Sequence, residues 1–219
     1  MTRRRLLLWP GIALILVGAS LLGYVAWEFW GTTWVSHRHR DQALAQIQRE
    51  WERPGSGSGV VRTQWGDATA IVRIPRFGAD YAVPVFEGTS DEALATGFGH
   101  FTGTAAPGAV GNYALAAHRV THGEPLRGMP DLRIGDEVIV QTRTETYTYA
   151  LTTAGSALVV PFTAGWVTDP LPTNPEAGGV QPAQQPGQRL ITLTTCSELF
   201  HTDNRMVAFG VLENEATTS

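Results

Sequence analysis

At 219 residues the chain is long enough for one large domain or two small ones, and 43% hydrophobic content with 9% aromatics is enough for a packed core. A formal net charge of −4 leaves no general case for nucleic-acid binding. The 24 glycines and 13 prolines imply many turns and lean towards an all-β body.

The chain opens with Arg3, Arg4 and Arg5, followed by a stretch without charge from Leu6 to Trp27. As a helix rising about 1.5 Å per residue, that stretch matches a hydrocarbon core of about 30 Å. The pattern predicts residues 1–5 as a cytoplasmic tail and 6–27 as a transmembrane helix, with the body outside the cytoplasm by the positive-inside rule. Trp27, Phe29, Trp30 and Trp34 read as an interfacial aromatic belt at its far end. A cleaved signal peptide is the competing reading, with Val17-Gly18-Ala19 as the cleavage site. Both readings send the body to a compartment where structural cysteines pair.

Residues 28–59 read as an extracytoplasmic stalk and linker. Ala43, Leu44, Ile47 and Trp51 suit a short amphipathic helix. His37 and His39 fall on its solvated face, and Pro54 to Gly59 is a flexible linker. A folded domain is expected over 60–214, with 215–219 as a tail. Within it the apolar and β-branched runs predict eight strands: Ala70–Ile74, Ala82–Phe86, Asn112–Ala117, Glu137–Arg143, Thr146–Thr152, Ala157–Val160, Arg189–Thr195 and Met206–Leu212. Asp91 to Ala95 predicts one helical turn capped by Ser90 or Asp91. Gly97 to Thr104 reads as a glycine-rich turn region. Eight short strands with little helix point to a closed barrel, because closure removes exposed edges. Pro161 to Gly187 is a long Pro/Gly-rich connection whose first half, to Pro175, is a candidate wall for a groove.

Cys196 is the only cysteine and ends an apolar strand. It cannot pair within the chain, so it is either a small buried hydrophobe or a presented nucleophile. An unperturbed thiol has a pKa of about 8.5, so a nucleophilic role needs a histidine as proton partner and a donor where an oxyanion forms. His37, His39, His100, His118, His122 and His201 are the histidines available. His118 follows an apolar run and can reach a shared groove. His201 lies in a loop five residues past the cysteine. Arg205 opens the last strand, and antiparallel pairing with the strand ending at Cys196 would bring it to the thiol. No zinc spacing and no phosphate-binding glycine loop is present in the sequence.

The run Thr192-Leu193-Thr194-Thr195-Cys196, with Ala116-Ala117-His118-Arg119 upstream and Arg205 downstream, resembles the sortase family. These are membrane-anchored cysteine transpeptidases of Gram-positive surfaces, built on an eight-stranded β-barrel. Gly99-His100-Phe101-Thr102-Gly103-Thr104, Pro107-Gly108 and Gly111-Asn112 are similar to the class E members of actinobacteria.

The resemblance implies an all-β, closed eight-stranded sortase-type barrel with short helices behind one N-terminal membrane helix. It implies Cys196 as nucleophile, His118 as acid and base, and Arg205 at the oxyanion, with Thr194 and Thr195 as substrate contacts. The implied substrates are surface proteins with L-P-x-T-G or L-A-x-T-G sorting signals. The implied acceptor is an amine of peptidoglycan, of a lipid-linked precursor or of a pilin lysine. No cofactor is expected. No metal is expected either, because the loop before the cysteine strand offers only Asp169 and Glu176 where calcium-dependent members have acidic ligands. A hydrolytic cysteine peptidase and a non-catalytic, membrane-tethered cell-wall-binding barrel are the alternatives.

Overall fold

The computed structural model describes residues 2–27, 31–54, 57, 59–196 and 203–218. In chain order its elements are α1 (Thr2–Ala26), α2 (Thr32–Glu52), β1 (Val61–Thr63), β2 (Gly66–Arg73), β3 (Val83–Glu87), α3 (Asp91–Thr96), β4 (Phe98–His100), β5 (Gly111–Ala116), β6 (Glu137–Gln141), β7 (Glu145–Leu151), β8 (Leu158–Pro161), β9 (Arg189–Cys196) and β10 (Asn204–Thr217). Ser90 caps α3 as expected, its hydroxyl accepting from the Ala93 amide at 3.3 Å.

Strands β2-β3-β4-β5-β9-β10-β7-β6 form a ring that closes where β2 pairs with β6. The ring has eight strands, as expected, but not the eight expected ones. β8 lies off the ring on β10, and β4 occupies the place counted for it. The sequence hides β4 because Gly97 and Gly99 read as turn residues. They serve close approach instead: a Cβ at Gly97 would sit 2.3 Å from the Pro84 carbonyl oxygen, and one at Gly99 would sit 2.6 Å from that of Gly88. β1 also goes unread, being three residues long. β10 continues through Thr217 into the segment expected as a tail, pairing with β7 past a bulge at residues 212–214.

The barrel interior is filled by Phe98, Tyr113, Leu115, Tyr149, Ile191 and Leu193, with Ala208 among the smaller side chains. Burial pushes the Tyr149 phenol up to about 12, while its oxygen accepts from the Gly108 amide at 2.7 Å. A second apolar layer, Leu158, Val160, Val167, Val207 and Phe209, covers the outer face of β10. Each of these aliphatic side chains contributes about 1.5–3 kcal/mol when removed from water.

α1 is a helix of 25 residues whose described side chains from Trp9 to Val25 are almost all exposed. Among the described residues no helix is long and apolar enough to cross a membrane. The belt residues Phe29 and Trp30 lie outside the described residues. α2 is the amphipathic helix expected around Ala43, Leu44, Ile47 and Trp51, and its apolar face is docked. Its buried residues Ser36, Arg40, Ala43 and Ile47 recur on one helical face, and Ala43 and Ile47 pack with Val61, Trp65, Ala68, Ile71, Phe86 and Ala93 on the barrel. Beyond α2, the Trp51 indole donates to the Gly59 carbonyl at 2.8 Å and Arg143 to that of Gly57 at 3.0 Å.

The seam that closes the ring carries a bidentate ion pair. Arg76, after β2, donates to both oxygens of Asp136, before β6, at 2.8 and 2.7 Å. Those bonds hold the Asp136 carboxyl below the usual carboxylate value, helped by the Arg133 amide and opposed by burial. A depressed folded pKa means the stabilisation is present above the unfolded value of about 3.9 and is lost as pH falls through the folded value. Asp136→Asn should therefore be less stable than wild type in urea unfolding at pH 7, and the gap should narrow as pH drops below about 4. An equal gap at pH 7 and pH 3 would remove the ion pair from the seam's stability.

Candidate active site

Two strand registers build the site. β5 and β9 pair in parallel with Ala116 opposite Thr194, and the ladder continues with the Ala117 amide donating to the Thr194 carbonyl at 3.2 Å. β9 and β10 pair antiparallel with Cys196 opposite Arg205. The chain positions 118, 196 and 205, which lie on three strand ends far apart in sequence, thus meet at one edge of the sheet. The antiparallel pairing expected for Arg205 is observed. The connection from 197 to 202, including His201, lies outside the described residues.

His118 and Arg205 line a groove of about 600 Å³, together with Ala117, Thr194 and Thr195. Its far wall is Val160 to Phe162, Ala164, Gly165, Val167 and Thr168, the start of the long loop expected to wall a groove. Leu94 and Phe101 close the other side. The loop wall is tied to β5 by a buried amide. Asn112 donates to the carbonyls of Val167 and Asp169, each at 3.1 Å, and accepts from the Thr192 hydroxyl at 2.8 Å. An apolar side chain at 112 would leave the Asp169 carbonyl without this donor and the Val167 carbonyl with only the Thr192 hydroxyl, 3.3 Å away.

The two threonines expected as substrate contacts differ. The Thr195 hydroxyl donates to the Ala117 carbonyl at 2.7 Å, fastening β9 to the end of β5, so its proton is committed within the protein. Thr194 lines the groove on the opposite side of the strand from the core residue Leu193.

The remaining histidines separate clearly. His39 lies tilted against Trp65 with ring centroids 5.2 Å apart, and burial followed by nearby Arg40 pushes His37 below its usual value. His37 lies on the exposed face of α2, as expected, while His39 is half-buried against Trp65. His100 is 7% exposed, its ring nitrogens bonded to Glu87 at 2.8 Å and to Thr104 at 2.9 Å. It knits the loop between β4 and β5 and stands away from the groove. His122, which the sequence did not single out, lies in the groove with its ring 4.9 Å from that of His118 and 29° from parallel. The signal that could have found it is the His-Gly pair, a favoured place for left-handed backbone. Among the described residues no three His, Cys, Asp or Glu side chains cluster to hold a metal ion.

A family model described as the sortase domain matches residues 72–213. The chain is 33% identical to the sortase SrtE1 of Streptomyces coelicolor over 95% of its own length, and spans 58% of that protein's length. It is 27% identical to SrtE2 of the same organism, covering 92% of this chain and 80% of that protein. The structure of sortase E from Streptomyces avermitilis superposes with a TM-score of 0.60 at 33% identity, covering 71% of this chain and 93% of that one. Sortase E1 from Streptomyces coelicolor, solved with a tripeptide in the active site, superposes at 0.58 with 31% identity, covering 72% and 94%.

Replacing Asn112 by Ala should cost about 1–3 kcal/mol, the penalty for buried polar groups left unpaired. Hydrogen exchange should quicken at residues 165–169 more than in the barrel strands. Unchanged exchange there would show that Asn112 does not hold the wall.

Proposed function

The chain belongs to the sortase family, with class E sortases of Streptomyces among its relatives, and from that we propose that it is a membrane-anchored cysteine transpeptidase acting on C-terminal sorting signals. One observation carries the reading. The β5–β9–β10 register gathers positions 118, 196 and 205 at the edge of the sheet, where His118 and Arg205 line a groove of about 600 Å³.

Cys196 as thiolate attacks the Thr–Gly carbonyl carbon of an L-P-x-T-G or L-A-x-T-G signal. The carbonyl electrons move onto oxygen, where Arg205 donates to the oxyanion. Collapse breaks the C–N bond, and protonated His118 gives its proton to the departing glycine amine. The product is a thioester. An incoming amine loses a proton to His118, attacks the thioester carbon and expels the Cys196 thiolate, which restores both groups. Thr194 is the better placed of the two threonines to contact the peptide, since Thr195 already donates to Ala117.

The uncharged stretch 6–27 behind Arg3 to Arg5 supports a span with the N-terminus in the cytoplasm and the barrel outside. The acceptor amine there belongs to peptidoglycan, a lipid-linked precursor or a pilin lysine.

The test is incubation of the full chain in detergent with each signal peptide and an amine. A Cys196 acyl adduct and a Thr–amine product are expected. Cys196→Ala should form neither, and wild-type-like turnover in that variant would sink the proposal. Arg205→Ala should fold and lose about 10²–10³-fold in kcat, the scale of one oxyanion donor. Release of free Thr acid with no amine product would instead make the protein a hydrolytic peptidase.

A further inference from the structure

The apolar stripe of α2 contains one charged residue. Arg40 lies between Ser36 and Ala43 on the buried face and is 8% exposed. Its Nη2 donates to the carbonyl of Gly123 at 2.8 Å, while its Nε has no hydrogen-bond partner among the described residues. Burial pushes the guanidinium below its ordinary value. Packing alone would favour an uncharged side chain here, because a buried cation is costly. The arginine needs a reason in the group that it holds.

That group is strained. His122, Gly123 and Glu124 have φ of 54°, 75° and 48°, so three consecutive residues are left-handed and two of them are not glycine. A Cβ on Gly123 would meet the Arg40 Nη2 at 2.8 Å and the Ser36 Cβ at 3.1 Å, so the turn sits directly against α2. The Tyr81 hydroxyl donates to the Pro125 carbonyl at 2.7 Å, and the Leu126 amide donates to that of His118 at 3.0 Å, which closes the loop. The outcome of this enforced turn is the His122 ring laid over His118 at the groove.

We propose that His122 is a positioning residue for His118, and that Arg40 of the helix preceding the barrel holds it there. The segment joining the proposed membrane span to the barrel is then part of the active site's frame rather than a tether. The strained turn presents one imidazole flat against the other, which limits the tilt of the His118 ring. This inference rests on the reading of His118 as the proton partner of Cys196.

The test uses the full chain in detergent and reads the rate at which iodoacetamide alkylates Cys196, which depends on thiolate and therefore on His118. His122→Asn removes the ring while tolerating the left-handed backbone. Arg40→Met keeps the packed stem and removes the donor. Each should slow alkylation roughly tenfold, less than the roughly hundredfold that a 1 Å misplacement of a reacting group can cost. Because Arg40 acts through His122, the double variant should be no slower than His122→Asn alone, and Arg40→Lys should recover most of the rate. A purely structural arginine would give independent, multiplying losses. Multiplying losses, or wild-type rates in either single variant, would overturn the proposal. Peptide turnover is read alongside. Coupled alkylation losses without any turnover of signal peptide would sink the transpeptidase reading and leave this inference standing. Normal turnover with uncoupled alkylation would do the reverse.

Discussion

The register of three adjacent strands governs this molecule. β9 is held in parallel by β5 and antiparallel by β10, and it is packed from both sides. Ile191 and Leu193 enter the barrel, while Val207 and Phe209 of β10 carry the outer layer beneath the groove wall. A slip of one residue would turn every one of these side chains to the wrong face, so burial on two faces specifies the register twice. The same slip would separate Arg205 from position 196. Fold stability and site assembly are therefore one constraint.

Around that ladder the site is framed by polar contacts set in otherwise apolar layers. Asn112 holds the loop wall to β5, Thr195 ties β9 to β5, and Arg40 joins α2 to the turn after His118. Apolar contacts are non-directional and tolerate sliding, whereas a buried hydrogen bond has one geometry and a penalty when broken. Placing such bonds where loops meet strands gives segments without regular structure a fixed position. The groove is thus rigid on its sheet floor and pinned at its loop walls.

Strands with a clear period of two or a continuous apolar run were readable in the sequence. The helical turn at Asp91–Thr96 was readable as well, since its cap is a local signal. β4 was not, because its glycines serve close approach to a neighbouring chain segment that only the fold supplies. α2 looked like a stalk because Arg40, Gln46 and Arg49 dilute its apolar residues. Its docked face becomes visible only against Trp65 and Phe86 of the barrel. Thr195 looked available because a hydroxyl beside a reactive position is a plausible contact, and the Ala117 carbonyl that takes its proton lies 78 residues away. His122 carried no periodic signal beyond the His-Gly pair, and its place beside His118 depends on a left-handed backbone.

The sequence by itself determined the chemical groups and the order in which they occur: one cysteine ending an apolar strand, His118 ending another, Arg205 opening a third, and enough short strands for a barrel. These are local properties, legible from side-chain type and periodicity. Only the tertiary structure decided which strands close the ring, that the loop after β8 walls the groove, and that α2 reaches the turn behind His118. Those outcomes depend on pairing between residues distant in the chain, where register is chosen by burial on opposite faces and by bonds whose two partners no local pattern connects.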